Sequence, residues 1–251
     1  MSESLDAASL QAMPKTDRLR VLRERMAAVP GRVGACAPSP AASSSADVLA
    51  VPGALGELLP DGGLPRGAVV ACPAGSVLCA VLAAASTAGS MSAVIGGQRL
   101  GLLAAYEQGA ALDKIAVVSA TGDSAVEVAS VLCDLPLIVL DVPKLRVPPR
   151  TLEGLRARVR NKNAVLVVAG GEQWLRQPQV RLDAFPVAAE GLAMGHGRVR
   201  RMIFEVRVLV RERPFRRGRL VLEGTVEGHT GWRAAAAVGV PSLRPIHSQA
   251  G

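Results

Sequence analysis

Residues 72 to 79 read CPAGSVLC. The strand-like run GAVVA (67 to 71) precedes them, and the alanine-rich run AVLAAAS (80 to 86) follows. A strand, a short Pro/Gly/Ser loop and then a helix is the setting of a nucleotide phosphate loop. That loop, G-x-x-x-x-G-K-[ST], wraps backbone N–H groups around the phosphates, reaches the terminal phosphates with Lys and holds Mg²⁺ with Ser/Thr. The setting is present here and the lysine is not. Asp141 is a second chemically suggestive residue, because it ends the apolar run LPLIVLD (135 to 141). A carboxylate there either holds Mg²⁺ or caps a buried strand.

Zinc chemistry is not indicated. Cys36, Cys72, Cys79 and Cys133 form no C-x-x-C pair, and His196, His229 and His247 are scattered. Free thiols in a reducing cytosol are the expectation, with no metal and no cofactor.

The elements that would position these residues follow from pattern. The 251 residues allow one α/β domain with a full core, or two small ones. Hydrophobic residues make up 49% and aromatics only 2%, so the core has to be built from Ala, Val and Leu. The low aromatic content also counts against single-strand nucleic-acid binding by base stacking. KTDRLRVLRERMAAV (15 to 29) has the spacing of an amphipathic helix, with Leu19, Leu22 and Met26 on its apolar face. It is either a partner-binding arm or a helix packed on its own domain. Residues 30 to 47 are rich in Pro, Ser and Ala and read as a flexible linker.

From 48 onward strands and helices alternate. After GAVVA come strand MSAVIGG (91 to 97), helix GLLAAYEQGA (101 to 110) and strand KIAVVSA (114 to 120). Helix DSAVEVASVL (123 to 132), strand LPLIVLD, helix TLEGLRARVRNK (151 to 162) and strand NAVLVVAGG (163 to 171) follow. Nearly continuous apolar strands of this kind imply a parallel sheet covered on both faces. MIFEVRVLVRE (202 to 212) and RGRLVLEGTV (217 to 226) read as an antiparallel hairpin at the edge of that sheet. Residues 226 to 251 show no periodicity and read as a loose tail. MSESLDAASLQ has neither a basic start nor an apolar core, so no signal peptide is expected. Gly67 to Gln98 carries no charge and is long enough to span a bilayer. Its Pro73, its abundant Ala and its changing character fit a buried βαβ start better, so no membrane is expected.

LLPDGGLPRGAVV (58 to 70) resembles the lead-in to the phosphate loop of RecA-family proteins. AVIGGQ, LDKIAVVSA, LIVLD and RNKNAVLVV then follow in the RecA order. Over residues 48 to 225 the chain is most similar to the ImuA family, in its ImuA-prime branch. These are RecA-like accessory factors of a damage-induced mutagenesis cassette. The resemblance implies an α/β fold: a RecA-like core with a mostly parallel sheet flanked by helices, and an antiparallel edge hairpin at its C-terminal end. It implies a role in translesion synthesis, within the SOS response to DNA damage and DNA repair, in the cytoplasm at the nucleoid. The partners it implies are an ImuB-like homologue of Y-family polymerases and, indirectly, an error-prone replicative-type DNA polymerase.

Against the RecA pattern, all four signature positions of the loop are changed. Cys72 and Val77 stand where the glycines belong, Leu78 replaces the lysine and Cys79 the Ser/Thr. Leu78 supplies no charge to a triphosphate, and hard cations prefer oxygen to the sulfur of Cys79. Gln98 stands at the catalytic glutamate position, and an amide is no general base. Asp141 alone survives at the Mg²⁺ position. The expectation is a packed site, no ATP hydrolysis, and weak nucleotide binding or none. The two loops that hold DNA in RecA relatives correspond to 141 to 150 and 170 to 182, and both are short.

The charge is concentrated late in the chain. Nine arginines (Arg198, Arg200, Arg201, Arg207, Arg211, Arg213, Arg216, Arg217 and Arg219) face Glu205 and Glu212, a net of +7 out of +8 for the chain. They read as a contact for DNA phosphates or an acidic partner, or as a solvated edge strand protected from aggregation. Trp232, with Arg233 beside it, is either an exposed partner anchor or a side chain folded back on the domain. Three functions follow: a non-catalytic scaffold of a mutagenic polymerase complex, an active RecA-type ATPase, or an interaction-only inhibitor of cell division. Self-association through the N-terminal helix is a further expectation drawn from the RecA resemblance.

Overall fold

A computed structural model describes residues 47–142, 145–170, 175, 177–193, 196–225 and 228–235. The amphipathic segment with Leu19, Leu22 and Met26, the linker up to residue 46 and the last sixteen residues lie outside them, as do Lys144 and Arg176.

The parallel half forms as its apolar runs dictate. It comprises β3 (Val69–Cys72), β4 (Ser92–Gly96), β5 (Ile115–Val118), β6 (Leu137–Asp141) and β7 (Val165–Ala169). Successive side chains of a strand point to opposite faces, and here each face has its own core. Val70 and Cys72 of β3, with Leu137 and Val139 of β6, join a cluster with helix α2 (Ser76–Thr87) and helix α3 (Leu102–Glu107). Val69 and Ala71, with Ile138 and Leu140, join a second cluster with α4 (Gly122–Val131) and α5 (Pro149–Asn161). A strand buried on both faces has no polar alternation to show. Edge strand β5 departs from this rule, with Val117 49% exposed. Before β3, a two-stranded β1 (Val48–Leu49) and β2 (Leu64–Pro65) flank one helical turn, α1 (Gly53–Gly56).

The nine-stranded sheet has the order β11-β10-β9-β8-β3-β7-β6-β4-β5. Its antiparallel half is larger than a hairpin. Strand β8 (Val180–Ala193) pairs in parallel with β3 and antiparallel with β9 (His196–Val210), which pairs with β10 (Arg216–Gly224). The sequence pattern missed β8. Pro186, which cannot donate to a ladder, sits at a register shift between Pro186 and Ala188, and a second shift lies between Glu190 and Leu192.

The boundary placed at 225 is also corrected. Thr230–Ala234 forms β11, antiparallel to β10. Trp232 is therefore not an anchor in a loose tail. Its ring packs on Phe204 at 5.2 Å, and its Nε1–H donates to Gln108 Oε1 at 2.8 Å. Trp232→Ala is expected to cost about 2 kcal/mol, less than a fully buried tryptophan, read as a lowered melting temperature. Arg233 on the same strand faces Glu223 at 3.3 Å.

The arginines are also redistributed. An extended chain advances about 3.3 Å per residue, so the fifteen residues of β9 separate Arg198, Arg200 and Arg201 from Arg211 and Arg213. Because β8 runs parallel to β3, the first group lies toward the carboxyl ends of the parallel strands and the second toward their amino ends. Arg201 is held by Glu190 and Glu223, and Arg207 by Glu205. One basic run in sequence becomes two separate surfaces.

Candidate functional site: a filled phosphate-loop position

The loop between β3 and α2 is Pro73-Ala74-Gly75, and α2 begins at Ser76. This is the strand–turn–helix geometry of a phosphate loop, with the first helical N–H groups at the carboxyl edge of the sheet. The side chains at the signature positions turn inward. Cys72 is 2% exposed, Val77 4%, Leu78 0% and Cys79 2%. All four belong to the core cluster beneath α2. Leu78, which the resemblance sets at the place of the phosphate-contacting lysine, is a packed leucine. No cation on its side chain could reach a ligand at the loop.

The two cysteines are packing groups. The Cys79 Sγ–H points at the carbonyl of Gly101, 3.6 Å away, and that of Cys72 at Pro73. Burial, followed by the charge of Asp183 and then Cys79, pushes the Cys72 thiol up to about 12. Burial is also the first cause raising Cys79 and Cys133. A thiol reacts as the thiolate, so a maleimide at pH 7.5 is expected to leave Cys72, Cys79 and Cys133 unmodified in the folded protein and to label them in urea. The pH dependence has a definite sign. Below about 9 Cys72 is protonated in both folded and unfolded chains. Between about 9 and about 12 only the unfolded chain loses the proton, so stability falls as pH rises through that window. Cys72→Ala is expected to make the loss shallower in urea titrations at pH 8, 9 and 10.

The carboxyl edge holds a second arrangement. Gly96 (φ +85) turns the chain sharply out of β4 so that Arg99 returns over Asp141. A Cβ on Gly96 would lie 2.4 Å from the Asp141 carbonyl oxygen, so the approach admits only glycine. Asp141 is fully buried at the end of β6. Its Oδ1 accepts Arg99 Nε–H at 2.9 Å and Nη2–H at 2.5 Å, and its Oδ2 accepts the Arg99 backbone N–H at 3.1 Å. Arg99 Nη2 also donates to the Ala169 carbonyl at 2.8 Å. Gly170 (φ +68) leaves room for this guanidinium, since a Cβ there would lie 2.7 Å from Nη1. Both carboxylate oxygens are occupied and their charge is neutralised from within. Gln98, next to Arg99, is exposed.

The structure thus brings Cys72, Val77, Leu78 and Cys79 together in one core and sets Asp141 at the same edge. It adds Arg99, which the sequence reading passed over. Its signal was the first charged residue after the uncharged stretch from Gly67 to Gln98, two places beyond the Gly96-Gly97 turn. Among the described residues one surface groove runs between α4 and α5 and another between α2 and β11. Among the described residues no group of three or more His, Cys, Asp or Glu could hold a metal ion, and no helix is long and apolar enough to cross a membrane.

Residues 57–176 match the family model described as the MT3502 N-terminal domain. That span includes the filled loop, Arg99 and Asp141, and it ends before β8. The chain is 39% identical over 125 residues to the uncharacterized protein Rv3395c of Mycobacterium tuberculosis, covering 48% of this chain. The chain spans 61% of the length of that relative.

Proposed function

We propose that the protein is a non-catalytic, RecA-like accessory factor of the ImuA type. In this reading it acts in the cytoplasm during the DNA-damage response, as a scaffold of a mutagenic translesion-synthesis complex. Its direct partner is an ImuB-like homologue of the Y-family polymerases, and an error-prone replicative-type polymerase is reached through that partner. The observation that carries the reading is the filled phosphate-loop position. Leu78 and its neighbours occupy the core, and Arg99 takes the place of a cation at Asp141. A nucleotide there would find neither the lysine nor a free carboxylate. The order of the parallel strands, with β3 central and β8 beside it, supports an inherited nucleotide-binding scaffold reused for assembly.

The test is affinity capture of the full chain from DNA-damaged cells, beside a version ending at Ala235 that keeps β11 intact. Capture of an ImuB-like protein and an error-prone polymerase by the full chain is the expected result. Failure of the full chain to capture either one, in cells that express both, overturns the scaffold reading. Steady hydrolysis of Mg-ATP by the purified protein would restore the ATPase reading.

A further inference from the structure

The amino edge of the sheet gathers cations from three distant parts of the sequence. Gly67 packs against the backbone of Arg160 on the last turn of α5, which places Arg66 beside it. Gln179 bonds to the Val69 backbone in both directions and accepts the Arg211 N–H through its own carbonyl at 2.9 Å. Arg156 reaches the Gln177 carbonyl from the side of α5. The C-terminal half of α5, the start of β3 and the β9–β10 turn are therefore one continuous surface. Eight of its cations are Arg66, Arg156, Arg160, Lys162, Arg211, Arg213, Arg216 and Arg217. Glu153, Asp134 and Glu212 pair with Arg156, Lys162 and Arg211, and Asp47 lies beside Arg66 through its backbone. The other five cations make no ion pair with any described residue. Arg160, Arg213, Arg216 and Arg217 are exposed, and Phe215 stands 54% exposed among the last three.

We propose that this amino-edge surface binds the phosphate backbone of single-stranded nucleic acid. Arg66 and Arg160 form one end of the track and the Arg213–Arg217 turn the other. The track crosses β3, β8, β9 and β10, three strand spacings or about 15 Å, the length of a few nucleotides of single strand. Arginines that make no ion pair with a described carboxylate are available to phosphates at little cost, Arg217 alone lying within the field of Glu205. Aromatics are few in this chain, but Phe215 stands exposed beside the unpaired arginines and offers a face on which a base stacks. The surface lies at the opposite end of the strands from the filled loop and from Arg198 and Arg200. It is independent of the scaffold reading: the capture experiment can fail while this surface binds, and the reverse.

The experiment is fluorescence anisotropy of a labelled oligothymidylate of about 20 nucleotides with the full chain, between 50 and 200 mM salt. Arg213→Ala/Arg216→Ala/Arg217→Ala is expected to weaken binding about tenfold at the lowest salt. It should also flatten the dependence of log affinity on log salt by about 2, for three lost phosphate contacts. Arg66→Gln/Arg160→Gln, in another segment, is expected to weaken it too, and Arg198→Ala/Arg200→Ala to leave it unchanged. Phe215→Ala should weaken oligothymidylate binding several-fold while leaving any binding of polyglutamate untouched. The proposal is overturned if the triple variant keeps the parent melting temperature and the parent affinity. It is also overturned if the loss follows Arg198 and Arg200 instead. If polyglutamate binds as tightly and Phe215→Ala changes nothing, the surface belongs to an acidic protein and not to nucleic acid.

Discussion

Leu78→Lys is expected to destabilise the fold by about 3 to 5 kcal/mol and to restore no affinity for Mg-ATP. In a working phosphate loop a lysine at this place faces a triphosphate. Here the side chain is fully buried and belongs to the cluster beneath α2. A lysine would put an ammonium among buried Val, Leu and Ala side chains, where burial favours the neutral amine. The urea midpoint should fall by a molar or more, at about 2 to 3 kcal/mol per molar for a domain of this size. Fluorescent nucleotide titration should show no binding. Parent-like stability together with new nucleotide affinity would mean that the loop opens readily, and the scaffold reading would lose its main support. Leu78→Met, which conserves volume, should cost under about 1.5 kcal/mol.

Arg99→Ala is the second large effect, expected at about 2 to 4 kcal/mol. The cost arises at Asp141, which is completely buried and is left with its carboxylate uncompensated. Arg99 itself is 40% exposed, which places the value toward the lower part of the range for buried pairs. A double-mutant cycle separates the pair from its surroundings. Asp141→Asn in the Arg99→Ala background should recover much of the loss, because an amide needs no countercharge. If Arg99→Ala and Asp141→Asn add independently in urea unfolding, the pair is not coupled, and the guanidinium is not the internal substitute for a cation described above.

Much of the parallel half was legible because its chemistry is uniform. Runs such as Val165–Ala169 and Leu137–Asp141 are buried on both faces, and α5, apolar on one face and charged on the other, separates them. The antiparallel half was only partly legible. In β8, Val180 and Leu182 face the core while Arg181, Asp183 and Phe185 face outward, and Pro186 interrupts the alternation. The five residues of β11 carry too little pattern to be separated from a tail, and only their pairing with β10 settles Trp232. At the site, the filled loop could be read from residue types alone. Arg99 could not, since its partner lies 42 residues away, and proximity across a sheet is not written in local spacing. The arginine count was right but its placement was not, because an extended strand carries like charges apart.

The order of the strands also bears on how the chain is made. Strand β3 lies at the middle of the sheet, yet its neighbour β7 begins at Val165, and the Gln179 side chain that pairs with Val69 is 110 residues downstream. Emerging from the ribosome, β3 waits for nearly half of the chain with both edges open and two apolar faces to shield. Such long-range pairing slows folding and leaves partly made chains prone to aggregate. A ribosome stalled before residue 165 would carry a nascent chain that binds chaperones. One released past residue 182 would carry the first closed centre of the sheet.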